Sequence, residues 1–244
     1  GQLNDDVSGL FIGDITFKEG KLLKPNPDQF ISRVKDQQIY SVDRLSKLIV
    51  LELSNDAVIL VHLKLTGGLR IHRLEDERSK YTQVVMQLCS EDNLKEPIKE
   101  LRYTTSRKFG YLQVISSEEF EKMKEDKYGP DPLANLDKDV FISILKKRSK
   151  RIKDVLMDQS IISGIGNIYA NDALWMAKVD PRRPANDLTQ EEMADLYKCL
   201  VSVLEEGLKL GGASDQWYKD AYGNKGGYQE NFKEKKKKGE TCSR

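Results

Sequence analysis

Gly164-Ile165-Gly166-Asn167 places two glycines and an asparagine directly before an apolar-striped segment, a pattern suited to holding an anion. Glycine lets the backbone take positive φ and come close to a ligand, and both Gly164 and Gly166 are expected to use that freedom. Asn167 is expected to cap a helix whose stripe is Tyr169, Ala173, Met176 and Ala177. The first amides of such a helix have no intrahelical acceptor and share the positive end of its dipole, so a phosphate suits the position. Lys153 precedes the turn and Asp172 follows it. On the glycines alone, the competing reading is an ordinary tight turn between two helices. A dinucleotide-binding fold is excluded, because no strand–helix–strand unit surrounds these glycines and no third glycine follows at the required spacing.

The charge distribution sharpens the choice. The net charge of the 244 residues is only +1, yet Lys146, Lys147, Arg148, Lys150, Arg151 and Lys153 crowd the approach to the turn, and Lys233 with Lys235 to Lys238 crowd the end. Such runs are usually solvated faces; beside a phosphate-type turn they fit the electrostatic footprint of a nucleic-acid partner. A hydrophobic content of 39% with 32% charged residues is a soluble, globular balance, and no stretch has the length and apolarity of a membrane span. With no basic and apolar leader at Gly1 to Asp6, the cytoplasm is expected, and the nucleoid if the source is bacterial. Cys89, Cys199 and Cys242 are too few and too scattered for a disulfide framework, and Cys89 and Cys199 read as small core residues.

These residues need elements to hold them. Short alternating or β-branched runs at 14–17, 38–42, 48–53, 58–65, 81–89, 101–104 and 111–115 predict strands, with a short helix at 27–34 between the first two. Helical spacing follows at 140–147, 152–157 and 168–178. A long helix is expected from Thr189, where Thr189 and Glu192 form a capping box, until Gly211-Gly212 stop it. The fold class is therefore α+β: a β-sandwich-like domain over 1–117, a charged Gly/Pro linker over 118–136, a helical domain over 137–232, and a basic tail over 233–244.

The string from Asp158-Gln159 through Leu174-Trp175 to Asp180-Pro181 closely resembles the helix-two-turn-helix of the formamidopyrimidine-DNA glycosylase and endonuclease VIII family. The resemblance extends to Lys47 before a strand, to His62 in His62-Leu63-Lys64-Leu65-Thr66-Gly67, and to Arg107-Lys108-Phe109-Gly110. Taken alone, Lys47 would be a surface lysine, His62 a hydrogen-bonded strand residue and Phe109 core. The resemblance instead implies that Lys47, His62, Lys153, Gly166 and Asn167 hold DNA phosphates. It implies that Leu65, Arg107 and Phe109 enter the duplex when a damaged nucleotide leaves it. Leu65 stands where the family usually has Met, which keeps an apolar wedge of altered shape. The segment from Gly211 to Gln229 resembles the loop that closes over an everted oxidised purine, implicating Ser214, Tyr218, Tyr222, Gly226 and Tyr228 and favouring the formamidopyrimidine branch.

The implied activity is base-excision repair: a bifunctional DNA glycosylase and abasic-site lyase acting, as a monomer, on double-stranded DNA with oxidised purines or abasic sites. Relatives begin Pro-Glu-Leu-Pro-Glu-Val, and the terminal proline amine is the nucleophile. Gly1 is expected to lie inside the family's first helix; a second registration equates Gly1-Gln2-Leu3 with Pro-Glu-Leu. Either way the given chain has no catalytic proline, and Lys47 is the possible auxiliary amine. Gly239 to Arg244 resembles the approach to the family's zinc finger, so zinc is implied for the intact relative, while Cys242 alone cannot complete a structural site. Two alternatives remain: a damaged-DNA binder without chemistry, and a general nucleic-acid module built on the helix-two-turn-helix alone.

Overall fold

The computed structural model describes residues 2–214 and 219–233. Residues group into two compact units, one formed by Gly1–Lys124 with Ser214–Gly226, the other by Glu125–Ala213 with Gly227–Arg244.

The sheet unit opens with α1 (Gln2–Val7) and β1 (Phe11–Phe17), then a 3₁₀ turn leads into β2 (Leu23–Lys24) and α2 (Pro27–Val34). The strands β3 (Ile39–Leu45), β4 (Leu48–Leu53), β5 (Ala57–His62), β6 (Gly68–His72), β7 (Thr82–Ser90), β8 (Asn93–Thr104) and β9 (Tyr111–Ser116) follow. They form two sheets, ordered β1-β7-β8-β6 and β2-β9-β5-β4-β3, antiparallel except for the β2–β9 pair. Alternate residues of each sheet bury one face: Leu51, Leu53, Ile59, Val61, Leu112 and Val114 pack in one core with Leu69, Val84, Met86, Leu88, Leu101 and Tyr103. The expected sandwich is present, with boundaries moved by physical detail. The run expected to continue through Leu65 stops at His62, because Lys64 takes φ 53° and Gly67 N–H closes a turn on the Leu63 carbonyl at 2.9 Å.

The helical unit follows α3 (Ser117–Lys127), which folds within the segment expected as linker. It comprises α4 (Lys138–Lys146), α5 (Ile152–Met157), α6 (Asn167–Met176) and α7 (Gln190–Lys209) around a core that includes Phe141, Ile152, Leu156, Ile165, Ala173, Leu196 and Leu200. The capping box is formed: Thr189 Oγ1 accepts from Glu192 N–H at 3.1 Å, and Glu192 Oε2 accepts from Thr189 N–H at 2.7 Å. Gly211 and Gly212, at φ 71° and 84°, end the helix as expected. Cys89 is buried in β7, and Cys199 packs half-buried on α7. Among the described residues, no helix is long and apolar enough to cross a membrane.

Tyr228 is a correction. It was expected in a loop over the lesion, but it is fully buried in the helical core, its hydroxyl donating to Asp172 Oδ2 at 2.8 Å and its ring 4.9 Å from that of Tyr169. Burial and the neighbouring Asp172 push the phenol far above its ordinary range. An aromatic held that way anchors the chain and is not free to close on a base.

Arg183 adds a forked pair to the capping box, with Nη1 and Nη2 at 2.6 and 3.1 Å from the two Glu192 oxygens. That pair, with the Thr189 amide next, lowers the Glu192 carboxyl to about 2. A depressed carboxyl contributes stability that is whole above about 4.5 and is lost as pH falls towards about 2. Glu192→Gln should lower the melting temperature at neutral pH and flatten its fall through that window; an unchanged acid limb in thermal melts would remove the pair from the account of α7.

Candidate nucleic-acid interface

In the helical unit, the turn between α5 and α6 is built around the Gln159 side chain. Its Nε2 donates to the carbonyls of Met157 at 2.9 Å and Ile165 at 3.1 Å, and its Oε1 accepts from Gly164 N–H at 3.0 Å. Asp158 Oδ1 holds the Ser160 amide and hydroxyl, while Gly129 N–H donates to Gln159 O and Ser163 N–H to Pro130 O. A Cβ on Gly129 would fall 2.2 Å from Ile161 O, so only glycine lets this strap approach. Residues 129–130, expected as linker, therefore brace the turn.

Two expectations about this turn are corrected. Gly164 has the expected positive φ of 84°, but Gly166 sits at φ −105° in extended backbone. Gly166 is the N-cap and Asn167 the first helical residue, with no side chain capping the helix. The consequence favours an anion site. The opening amides of α6 keep their donors, Asn167 is exposed with its amide uncommitted to a cap, and a Cβ on Gly166 would meet nothing within 4 Å. Lys153, half-buried, lies on α5, which packs against α6.

In the sheet unit, His62 ends β5, opposite Leu48 on one side and Tyr111 on the other. Its Nδ1 accepts from Lys64 N–H at 3.1 Å, which leaves Nε2 to carry the proton of the neutral ring. Burial, then Lys64 and Lys47, lower the imidazole to about 4, so at neutral pH the ring is an uncharged donor. Lys47 is presented by the β3–β4 turn, where Ser46 takes φ 55° and Arg44 Nη1 donates to Ser46 O at 2.9 Å. Desolvation first and Lys64 second depress its ammonium. Lys64, to which no role was assigned from sequence, thus belongs to the cluster.

Two loops follow. Thr66 Oγ1 lies 3.2 Å from Thr105 Oγ1 and accepts from Arg107 N–H at 3.2 Å, while Thr105 Oγ1 accepts from Lys108 N–H at 3.1 Å. A Cβ on Gly110 would lie 2.0 Å from the Tyr103 hydroxyl and 2.3 Å from His62 O, and one on Gly67 would lie 2.2 Å from Leu63 O. These contacts knit the 63–67 and 105–110 loops into one projection. Leu65 is 74% and Phe109 69% exposed at its tips, and Arg107 is exposed beside them. Phe109 is therefore not core, which is what its type alone suggested. Without apolar neighbours to bury them, two such side chains are an unusual surface.

Ser214, Tyr222 and Gly226 belong to the sheet unit. Ser214 Oγ accepts from Gly226 N–H at 2.8 Å, the Tyr222 hydroxyl donates to Asp6, and Ile71 N–H donates to Ala221 O at 3.1 Å. Asp220 gathers the Tyr222 and Asn224 amides at 3.0 and 2.8 Å. A cavity of about 380 Å³ lies beneath, lined by Gln2, Asn4, Arg44, Leu63, Lys219 and Asp220 among others. Tyr218 lies outside the described residues, as does Cys242. Among the described residues no group of three or more His, Cys, Asp or Glu could hold a metal, so no step is assigned to zinc.

Family models agree with this arrangement. Residues 1–112 match the formamidopyrimidine-DNA glycosylase N-terminal domain, and residues 128–218 match the formamidopyrimidine-DNA glycosylase H2TH domain. A formamidopyrimidine-DNA glycosylase of Herpetosiphon aurantiacus is 34% identical over 220 residues, covering 90% of this chain and 78% of the relative. One of Lactiplantibacillus plantarum is 32% identical over 244 residues, covering 99% and 86%. Among solved structures, the wild-type Lactococcus lactis enzyme in complex with DNA containing N7-benzyl-Fapy-dG superposes with a TM-score of 0.87 at 28% identity, covering 100% of this chain and 87% of that one. The Lactococcus lactis protein with abasic-site DNA gives 0.84 at 27%, covering 95% and 83%.

Proposed function

Since this chain belongs to the formamidopyrimidine-DNA glycosylase family, we propose that it recognises oxidised purines and abasic sites in double-stranded DNA. In this reading it acts as a monomer in the cytoplasm, or on the nucleoid if bacterial, and its activity is glycosylase and abasic-site lyase chemistry. The observation that carries the reading is the knitted projection with Leu65 and Phe109 bare at its tip. Everting a nucleotide costs a few kcal/mol of unstacking, and apolar or planar side chains that occupy the vacated space offset part of that. Arg107 beside them supplies donors for the base left without a partner. Lys47, His62 and Lys64 on one unit, and Lys153, Gly166 and Asn167 on the other, are suited to phosphate contacts. Ser214, Tyr222 and Gly226 are assigned to the segment that covers the everted base.

The chemistry requires an amine that attacks C1′ and displaces the base, then forms an iminium ion as the sugar ring opens, so that loss of a C2′ proton expels the 3′ phosphate by elimination. Residues 1–24 contain no proline. Among the described residues, Lys47 is the amine whose ammonium is depressed beside the proposed phosphate cluster.

Three outcomes test the reading. Asn167→Ala should weaken damaged and undamaged duplexes alike, by about 1–2 kcal/mol for a lost charge-assisted donor pair; unchanged affinity for a tetrahydrofuran-containing duplex at moderate salt would remove the helix-terminus site. Phe109→Ala should reduce discrimination for damaged DNA more than general binding, read from a fluorescent base opposite the lesion; identical responses in wild type and variant would dismiss the wedge. The 244-residue polypeptide should bind abasic DNA yet give no borohydride-trapped adduct, whereas the same polypeptide extended with Pro-Glu-Leu-Pro-Glu-Val should give one. Efficient trapping by the unextended polypeptide that vanishes in Lys47→Ala would instead make Lys47 the nucleophile.

A further inference from the structure

The cationic surface does not stop at His62. Across β5 and β9, His62 is paired with Tyr111, their ring centroids 5.7 Å apart at 53°. Lys24 Nζ then stands 4.1 Å from the Tyr111 centroid, on β2, the strand beyond β9. Leu23 and Leu112 point into the sandwich core, so Lys24, Tyr111 and Gln113 share the opposite face. Next to Lys24 is a recess of about 440 Å³ lined by Lys21, Asn26 and Gln113 among others, with no carboxylate in its wall. Glu19, which adjoins it, is already bound by Lys108 at 2.5 Å. Asp28 belongs to the first turn of α2, where the opening amides balance its charge. Among the described residues neither Lys21 nor Lys24 forms a salt bridge, although Lys21 acts electrostatically on Glu19, and both are exposed.

We propose that Lys24, held on the Tyr111 ring, and Lys21 beside it form an additional backbone-phosphate site for duplex DNA, extending the Lys47–Lys64–His62 cluster across the five-stranded sheet. The inference rests on the DNA-binding reading and adds a contact that neither the helix terminus nor the wedge requires. The row runs from the β3–β4 turn over β5 and β9 to β2, three strand spacings or about 14 Å. That length suits more than one successive phosphate of a strand and exceeds what one free phosphate group could span. The aromatic ring restrains Lys24 without neutralising it, a cation–π contact that leaves the ammonium's other hydrogens for an anion. A partnerless ammonium beside a carboxylate-free recess is the charge complement of a phosphodiester chain.

The test is the salt dependence of binding to a tetrahydrofuran-containing duplex and to its undamaged counterpart, followed by fluorescence anisotropy. Lys24→Ala should flatten the slope of log K against log salt by about 0.9, equally on both duplexes, and the double variant with Lys21→Ala by up to about 1.8. Lys24→Arg should restore the wild-type slope. Because Lys24 is exposed, its variants should melt with wild-type cooperativity. A wild-type slope in Lys24→Ala, with Lys47→Ala still flattened, would overturn this site and leave the proposed function standing. No response in Lys24→Ala, Lys47→Ala and Asn167→Ala together would overturn both.

Discussion

The sheet unit's site depends on one close approach: the backbone at Gly110 lies where a single methyl would strike the Tyr103 hydroxyl and the His62 carbonyl. Because nothing larger than hydrogen fits, the 105–110 loop can settle onto the end of β5, and Thr105 can reach Thr66. The two threonine hydroxyls then serve both loops, accepting the amides of Arg107 and Lys108. Tyr103, fully buried and with its phenol pushed up to about 12 by that burial, is the floor under the contact. Leu65 and Phe109 stay bare at the tip of turns that these hydrogen bonds and close contacts tie together. Core-like rigidity beneath a hydrophobic tip is what an intercalating element needs, since a flexible tip would fold back on apolar surface and cover itself.

Electrostatics gives the same end of the sheet a second constraint. Burial first and Lys64 second lower the tendency of Lys47 to hold a proton, and burial, then Lys64 and Lys47, lower that of His62. Among the described residues neither Lys47 nor Lys64 forms a salt bridge, and like charges held together cost free energy that an anion relieves. The Glu100 carboxylate shows the contrasting case: it is nearly as buried as any side chain, yet Arg78 at 2.6 Å and Arg102 at 2.5 Å satisfy it, and Arg102 goes on to bind the carbonyls of Asp76 and Glu77. That cluster is complete within itself and fixes the loop between β6 and β7.

Period and punctuation made much of this legible in the sequence. The strands at 48–53 and the helices at 27–34 and 152–157 emerge where alternation or helical spacing and their caps agree. What resisted reading has a common physical cause. Asn167 was given the N-cap position that Gly166 holds, because the pattern glycine–asparagine before a helix is satisfied by either register, and only the dihedral angles decide. Tyr228 looked like a loop aromatic because its neighbours are glycines, but its partners, Asp172 and Tyr169, are more than fifty residues away. Gln159 sat inside a quoted motif without a role, since three hydrogen bonds from one amide to a turn leave no spacing signal. The Lys24–Tyr111–His62 row was equally hidden: its members come from three strands that sequence order separates.

The two kinds of phosphate donor divide a task that neither could perform alone. Lysines attract a polyanion from a distance, but their contribution is screened by salt and carries little directional information. The opening amides of α6, the Asn167 carboxamide and the neutral His62 Nε2 are short-ranged, directional and uncharged. They cannot recruit DNA, yet they can hold a phosphate in register once it has arrived, and ionic strength weakens them less. A wedge that must meet one base step needs that register. In the proposed reading, exposed lysines therefore set how often the duplex is met, and the neutral donors that each unit contributes set where it stops.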